Sequence, residues 1–238
     1  MNIALLGYGK MGQAIESLGK DQGHFFPLII DLENSRDLNR ENLEEIDVAI
    51  EFTIPASAPD NIRTCIDNKI PVVCGTTGWN DRFGEIEDYC KKNQGTLFYA
   101  SNFSIGVNIL IALNDRLARI MSNFTSYEVS LEEVHHIHKL DSPSGTAITL
   151  AEQIIERQRH VKRWSLEVDD DPTTMHIKAV RKGEVRGHHT VRYDSEVDSL
   201  SISHAAKSRD AFAAGALLAA VFSKERTGIF GMDDLLKL

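Results

Sequence analysis

A glycine-rich turn near the amino terminus constrains the fold of this chain more than any other feature. The short apolar run 2–6 is typical of a central parallel strand, and it leads directly into Gly7, Gly9 and Gly12, spaced as G-x-G-x-x-G. Apolar residues then recur at helical spacing through Leu18. A strand before the glycines and a helix after them predict a dinucleotide-binding unit. Gly7 would permit the tight turn, Gly9 would let a pyrophosphate approach the backbone, and Gly12 would let the helix pack closely on the strand.

An acidic residue follows the second predicted strand. The apolar run 25–30 ends in Asp31, roughly twenty residues beyond the glycines, where a carboxylate can bind the 2′- and 3′-hydroxyls of an adenosine ribose. An acid at a strand end can also simply face water. Leu32 follows, so no arginine stands directly beside Asp31 to bind a 2′-phosphate, and we predict a preference for NADH over NADPH. Lys10 and Arg36 could both reach an added phosphate, which leaves NADPH open as a second cofactor.

Strand and helix alternate regularly through the first hundred residues. Further strands are predicted over 47–52, 72–74 and 96–99. This alternation indicates an α/β fold with a Rossmann-like doubly wound parallel sheet, in which ligands bind at the carboxyl ends of the strands. The cofactor-binding residues are therefore expected in the glycine turn, at the end of the second strand and in two later loops: Gly7, Tyr8, Gly9, Lys10, Met11, Gly12, Asp31, Gly75, Thr76, Thr77, Ala100, Ser101, Asn102 and Phe103.

The pattern changes in the second half of the chain. A helical pattern over 105–123 is followed by four strand-like runs and one interposed helix, and Gly183 and Gly187 suggest turns between neighbouring strands, as in antiparallel meanders. We predict a second α+β domain with a mixed sheet over 105–209. The apolar run 209–224 is typical of a buried helix and is expected to return to the first domain, which would then comprise 1–104 and 210–238.

A cluster of basic residues lies between a strand and a helix of this second domain. His135, His136, His138 and Lys139 fall within five residues, and a Pro-Ser-Gly-Thr turn over 143–146 follows at once. Backbone N–H groups at a helix start have no internal partners and favour a carboxylate or a phosphate. Proton donors would thus stand beside an anion-binding turn, as a small acidic substrate requires.

Two other interpretations of the cluster stay open. Exposed histidines and a lysine can form a solvated basic patch, and His136 and His138 could share one face of a continuing strand and bind zinc. Metal-bound histidine must be neutral, however, and the adjacent ammonium group of Lys139 opposes a dication. Neither interpretation accounts for the Pro-Ser-Gly-Thr turn, and we expect no metal.

The overall composition excludes several functional classes. A net charge of −9 argues against nucleic acid, which usually binds to a basic face. No apolar stretch is long enough to span a bilayer, and the amino terminus lacks the pattern of a signal peptide. The three cysteines are odd in number and lack metal spacing, so we expect free thiols in a reducing cytoplasm.

The run 135–147, HHIHKLDSPSGTA, closely resembles the signature of the 4-hydroxy-tetrahydrodipicolinate reductase (dihydrodipicolinate reductase) family. The resemblance covers essentially the whole chain and includes the glycine turn 7–12, the loops 75–77 and 100–104, and the closing helix. It implies NAD(P)H-dependent reduction of a small cyclic dicarboxylate, 4-hydroxy-tetrahydrodipicolinate, to tetrahydrodipicolinate in diaminopimelate and lysine biosynthesis.

The resemblance also implies roles for individual residues. His135 matches the general acid/base of the family, and Lys139 matches the assisting proton donor. The family is typically homotetrameric, associating through the sheet of the second domain, so that 105–209 would bind substrate and form the oligomer. The substrate-carboxylate binders are matched by His136, Ser144, Gly145 and Thr146.

Other functions share some of these features. A different two-domain Rossmann oxidoreductase, such as an amino-acid dehydrogenase, would carry the glycine turn but has no reason to carry the histidine–lysine run. A non-enzymatic protein that senses NADH would need a basic DNA-binding module, and the sequence contains none.

Overall fold

The computed structural model describes residues 1–168, 170–208 and 210–238, and the chain divides into two compact units. One unit comprises Met1–Ile105 together with Arg209–Leu238, and the other comprises Gly106–Ser208. Arg209 itself, which the sequence analysis assigns to the second domain and to the start of the closing helix, lies outside the described residues. The expected roles of the two parts, cofactor binding and substrate binding, stay predictions at this stage.

The described residues of the first unit form a six-stranded parallel sheet with helices on both faces. Its strands are β1 (Asn2–Leu6), β2 (Phe25–Ile30), β3 (Val48–Glu51), β4 (Val72–Cys74), β5 (Thr96–Tyr99) and β11 (Gly228–Phe230). Its helices are α1 (Lys10–Asp21), α2 (Arg40–Leu43), α3 (Ala58–Asp67), α4 (Phe83–Lys92), α7 (Asp210–Ser223) and α8 (Met232–Leu236), with 3-10 helices at Leu32–Asp37 and Asn80–Arg82.

The strand order of this sheet is β11-β5-β4-β3-β1-β2. The chain forms β1 and β2 side by side and then returns past β1 to form β3 on its other flank. Strand order therefore reverses between β1 and β3, and open α/β sheets bind ligands at such a switch point. The doubly wound parallel sheet predicted from the sequence is confirmed.

Successive side chains of the buried strands enter two separate cores. In β1, Ile3 and Leu5 pack with α1 and α7, whereas Ala4 and Leu6 pack on the opposite face with α3 and α4. This alternation follows from the period of two along a strand, and burial on both faces explains why these strands are almost wholly apolar. The small residues of α7 allow a close approach to the sheet.

The second unit combines a mixed sheet with two helices. Its elements are α5 (Ile105–Met121, whose first residue belongs to the first unit), β6 (Glu128–His135), α6 (Gly145–Arg157), β7 (Arg163–Ser165), β8 (Thr174–Arg181), β9 (His188–Asp194) and β10 (Ser199–Ala205). The strand order is β10-β9-β6-β8-β7. Strand β6 is antiparallel to β9 and parallel to β8, so the predicted mixed sheet is confirmed. Both helices pack on one face of this sheet.

One expectation about this sheet is wrong. The turn glycines suggested that β8 and β9 are adjacent, but β6 lies between them. The connecting segment 182–187 instead crosses the end of β6, where the N–H of Lys182 donates to the carbonyl oxygen of His135 at 2.7 Å and the N–H of Ile137 donates to that of Gly183 at 3.1 Å. Strand β7, which has three residues, was not predicted.

None of the helices in the described ranges is long and apolar enough to cross a membrane. The three cysteines, Cys65, Cys74 and Cys90, are unpaired and buried in the first unit.

Candidate active site

The parallel strands of the first unit bring the expected cofactor-binding loops to one edge of the sheet. Asp31 follows β2, Gly7 follows β1, Thr53 lies just beyond β3, Gly75 follows β4 and Ala100 follows β5. The ladder continues into these loops, since the N–H of Gly7 donates to Ile30 at 2.9 Å and that of Gly75 donates to Glu51 at 2.9 Å. The loops therefore start from a rigid base.

The three glycines of the first turn differ in what an added side chain would meet. Gly7 has a φ of +96°, and a Cβ atom there would lie 2.1 Å from the carbonyl oxygen of Phe52. A Cβ atom at Gly12 would lie 2.2 Å from the carbonyl oxygen of Gly7. Gly9 is the N-cap of α1, and no heavy atom of the described chain lies within 4 Å of its Cβ position. The open side of Gly9 beside the unpartnered N–H groups of α1 fits a phosphate.

Asp31 lies exposed at the end of β2 and caps the 3-10 helix that follows. Its Oδ1 accepts from the N–H of Leu32 at 2.8 Å, and its own N–H donates to Oδ1 of Asn34 at 2.7 Å. The Asp31 side chain is exposed, so its carboxylate is accessible to a ribose. Arg36 is exposed in the same 3-10 helix.

The remaining residues expected to bind the cofactor differ in exposure and in the hydrogen bonds they already make. Thr77 and Ser101 are exposed, while Thr76 is buried and its Oγ1 accepts from the N–H of Thr53 at 2.8 Å. The Phe103 side chain is buried, with its ring 5.6 Å from that of Phe52, so only its backbone could face a cofactor. The three residues of the turn 7–12 that are not glycine have different surroundings. The Tyr8 hydroxyl donates to Glu16, Lys10 is exposed and Met11 packs on the core.

A buried carboxylate braces this edge of the sheet. Glu51, at the end of β3, is fully buried and accepts from the hydroxyl and the N–H of Thr53 and, at 3.1 Å, from the thiol of Cys74. Burial raises the pKa of the Cys74 thiol well above its usual range, and the nearby charge of Glu51 raises it further. Cys74 is therefore a protonated hydrogen-bond donor and not a nucleophile.

The histidine cluster of the second unit begins at the end of β6. Because side chains alternate along a strand, Glu133 and His135 lie on the same, helix-facing side of the sheet. His135 is 7% exposed, and its Nδ1 forms a short contact with Oε2 of Glu133. At the other side of the ring, a Cβ atom at Gly187 would lie 3.1 Å from Nε2 of His135, and Gly187 has a φ of +150°. Only glycine leaves this approach to Nε2 open.

Arg181 completes the contacts of Glu133. The carboxylate is 0% exposed, and Nη1 of Arg181 donates to its Oε1 at 2.9 Å. Burial alone would raise the pKa of Glu133, but hydrogen bonds and charges from His135 and Arg181 outweigh it and lower the pKa to about 2. Glu133 is thus a buried, ionised acceptor at neutral pH.

The loop after β6 carries the second expected proton donor. Nζ of Lys139 lies 2.8 Å from Oδ1 of Asp141, and this contact lowers the pKa of Asp141. The carbonyl oxygen of Asp141 accepts from Nη2 of Arg181 at 2.6 Å. Arg181 therefore contacts both Glu133, the partner of His135, and the residue that holds Lys139.

A second buried histidine lies against the first. The rings of His135 and His189 are edge to face with centroids 5.1 Å apart, and Nε2 of His189 lies 3.0 Å from Oγ of Ser144. Ser144 also caps α6, since its Oγ accepts from the N–H of Ala147 at 3.3 Å. Burial, and then the charge of His135, lower the pKa of His189 to about 4, so this imidazole is neutral at neutral pH.

The expected substrate-binding residues lie around the start of α6. Gly145 is exposed, and no described heavy atom lies within 4 Å of its Cβ position. Thr146 and His136 are half-buried, whereas the Ser144 hydroxyl is buried and already bonded on both sides. The first N–H groups of α6 are therefore the most available anion donors in this turn.

Three of these groups could also hold a cation. Ligand atoms of Glu133, His135 and His189 lie within 4.8 Å of one another. Arg181, bonded to Glu133 at 2.9 Å, opposes a second positive charge there. The pair considered as an alternative zinc site lies elsewhere: the rings of His136 and His138 are 6.1 Å apart, and His138 is exposed beside Glu184.

Sequence reasoning missed Glu133, Arg181 and His189. The period-two pattern of β6 could have placed Glu133 beside His135. His189 belongs to a predicted strand, but only the pairing of β9 with β6, which sets it opposite Glu133, reveals its position. The parallel register that sets Arg181 beside His135 carries no sequence signal.

Comparisons with known proteins agree over the whole chain. Family models described as dihydrodipicolinate reductase, N-terminus, and dihydrodipicolinate reductase, C-terminus, match residues 1–103 and 106–236. The chain is 52% identical to the 4-hydroxy-tetrahydrodipicolinate reductase of Christiangramia forsetii, over 99% of this chain and 98% of that protein. It is 34% identical to the enzyme of the same name from Neisseria meningitidis serogroup C, over 94% and 84%.

The fold agrees with a solved structure as well. The dipicolinate-bound dihydrodipicolinate reductase from Paenisporosarcina sp. TG-14 superposes with a TM-score of 0.76 at 22% identity, covering 97% of each chain. Both halves of the sequence, the full-length relatives and the fold thus lead to one assignment. The chain belongs to the dihydrodipicolinate reductase family.

Proposed function

We propose that this chain reduces 4-hydroxy-tetrahydrodipicolinate to tetrahydrodipicolinate with NAD(P)H, with loss of water, in diaminopimelate and lysine biosynthesis. The observation that carries the proposal is the end of β6, where a buried histidine contacts an ionised carboxylate on one side and faces a glycine on the other. Family membership and the names of the full-length relatives support the same reaction.

The first unit holds the cofactor. The open side of Gly9 and the N–H groups of α1 bind the pyrophosphate, and Oδ2 of Asp31 accepts from the ribose hydroxyls. The loops at Gly75–Thr77 and Ala100–Phe103 line the rest of the cofactor site. A bound NAD(P)H supplies the hydride for the reaction.

The second unit holds the dicarboxylate and supplies the proton. The N–H groups of Gly145 and Thr146 bind one carboxylate, with His136 and the Ser144 turn beside them. His135 gives a proton from Nε2, while the carboxylate of Glu133 lies against Nδ1. Lys139 assists by stabilising negative charge that develops on the substrate.

A direct assay tests the reaction. Freshly made condensation product of pyruvate and aspartate semialdehyde is mixed with the protein, and loss of NADH or NADPH is followed by absorbance. We expect turnover in the parent chain and a fall in kcat of about 10²-fold in His135→Gln, with NADH affinity nearly unchanged, because general acids typically contribute this much. His138→Gln is the matched control, since His138 is exposed in the same loop. Equal rates in parent and His135→Gln would contradict the role of His135.

We further propose that NADH is preferred over NADPH. Asp31 supports this because its carboxylate would repel a 2′-phosphate, although Arg36 lies close along the chain. Asp31→Asn keeps most of the size and capping capacity of the side chain. We expect it to weaken NADH binding and to narrow the gap to NADPH, measured as kcat/KM with each cofactor. Tighter binding of NADPH by the parent chain would contradict the preference.

We also propose that the protein is a cytoplasmic homotetramer, as the family resemblance implies. The face of the second sheet opposite its helices is polar, with a Lys178–Glu132 ion pair at 2.8 Å, and we expect this face to form the contacts between subunits. Light scattering on the protein as it elutes from a size-exclusion column measures the mass of the assembly, and the mass of a monomer would contradict the homotetramer. The unpaired cysteines support a cytoplasmic location.

A further inference from the structure

We propose that Glu133 is a positioning residue for this reaction, which orients the proton donor His135 and, through Arg181, ties it to the loop that carries Lys139. The inference rests on the proposed function. It adds Glu133 and Arg181 as residues that act through the proton donors.

The first support is the contact between Glu133 and His135. Oε2 of Glu133 is in short contact with Nδ1 of His135, and because an ionised carboxylate can only accept, this contact favours the form of the ring that carries a proton on Nδ1 and leaves Nε2 for the substrate. Glu133 and His135 lie two residues apart on one face of β6, which is paired on both sides with β8 and β9. The backbone of both residues is therefore fixed by a central strand, and the His135 ring is buried beside the carboxylate.

The second support is the path that leads from Glu133 to Lys139. Arg181 donates from Nη1 to Glu133 at 2.9 Å and from Nη2 to the carbonyl oxygen of Asp141 at 2.6 Å, and the Asp141 carboxylate lies 2.8 Å from Nζ of Lys139. The two expected proton donors are thus linked through Glu133, Arg181 and Asp141, by ion pairs at either end and by a hydrogen bond to a backbone carbonyl oxygen between them. A planar guanidinium suits this role because it can serve two acceptors in fixed directions.

A purely structural role does not explain these contacts well. Burying a carboxylate in a core is costly, and an apolar side chain at position 133 would fill the space without that cost. The neighbouring odd positions Val129 and Leu131, on the same face of β6, are indeed apolar and buried. The change from apolar residues to Glu133 and His135 occurs where the strand reaches the expected substrate site.

Glu133→Gln tests the proposal because it keeps the size of the side chain and removes its charge. We expect kcat to fall by at least about 10-fold, with the KM for substrate and the affinity for NADH changed by less than about 3-fold, as for a group that acts on proton transfer. Glu132→Gln is the matched control, since Glu132 is adjacent and pairs with Lys178 on the opposite face. An unchanged kcat in Glu133→Gln overturns the proposal.

A double variant separates positioning from a structural contribution. If Glu133 acts through His135, adding Glu133→Gln to His135→Gln should lower the residual kcat by less than about 2-fold, because the two changes remove one function. Independent, multiplicative losses overturn the proposal.

A measurement on the parent protein covers the case in which Glu133→Gln does not fold. The protein is labelled with ¹⁵N-histidine, and the His135 signals are assigned by their loss in His135→Gln. We expect Nδ1 of His135 to be protonated at neutral pH, with a downfield proton bonded to Glu133; an unprotonated Nδ1 overturns the proposal. This readout needs no turnover, so it remains decisive even if the proposed reaction fails the direct assay.

Discussion

The buried histidine beside the proposed proton donor should make the second unit sensitive to mild acid. His189 is 4% exposed, and its pKa is lowered from an ordinary value of 6.5 to about 4. The unfolded chain therefore takes up this proton more readily than the folded chain between these two values. The contribution of neutral His189 to stability is complete above pH 6.5, is lost as pH falls towards 4, and changes little below that.

The size of this effect follows from the two pKa values. Between about pH 7.5 and about pH 5, linkage predicts a loss of about 2 kcal/mol from His189 alone. Glu133 interferes little in this range, because its pKa is lowered to about 2 from 4.5 and its own contribution is lost only as pH falls between those values. Between these two pH values, the free energy of unfolding should therefore fall by about 2 kcal/mol less in His189→Gln than in the parent chain.

Urea unfolding of both proteins at the two pH values measures the difference. His138→Gln is the control for replacing a histidine, because His138 is exposed and lies outside the buried cluster. A direct check is the NMR titration of the His189 ring in the folded parent protein. The reasoning is refuted if the free energy of unfolding changes equally with pH in the parent and in His189→Gln, or if the His189 ring titrates near pH 6.5.

The glycines and cysteines of the first unit lead to further predictions. Gly12→Ala should destabilise the protein by about 1–3 kcal/mol, because its methyl group would lie 2.2 Å from a backbone oxygen, and a thermal melt measures this. Gly9→Ala, its matched control, should leave the melt unchanged but weaken NADH in a binding titration; a normal affinity would contradict the phosphate assignment. Gly215→Ala should lower the melting temperature, because its Cβ would lie 1.8 Å from the carbonyl oxygen of Phe103. Burial raises the pKa of Cys65 to about 12, so this thiol should resist a disulfide reagent at neutral pH until the chain unfolds, and rapid labelling of the folded protein would show otherwise.

Local patterns were sufficient to predict most of the framework. The strand, glycine turn and helix at 2–18 depend on neighbouring residues, and so does the strand that ends at His135. The order of strands in the second sheet depends on distant pairing, which explains why β8 and β9 were wrongly expected to be adjacent. Strand β7 pairs with β8 over three residues, too few to give a periodic signal.

The sequence predicts which segments lie near one another at the expected site, but not their contacts. The histidine run ends β6 and the Ser-Gly-Thr turn begins α6, as the local pattern indicates. The sequence does not reveal that the Ser144 hydroxyl is occupied by His189 and Ala147, or that the Phe103 ring is buried. Those facts depend on register and packing between segments far apart in the chain.

The central position of β6 should give the two proposed proton donors different backbone dynamics. His135 ends a strand that is hydrogen-bonded to neighbours on both sides, whereas Lys139 lies on a connection outside the sheet. Amide hydrogen exchange should accordingly be slow along β6 up to His135 and faster at His138 and Leu140, beyond the strand. The backbone that carries one expected donor is then fixed by the sheet, whereas the other donor is held mainly by side-chain contacts through Asp141.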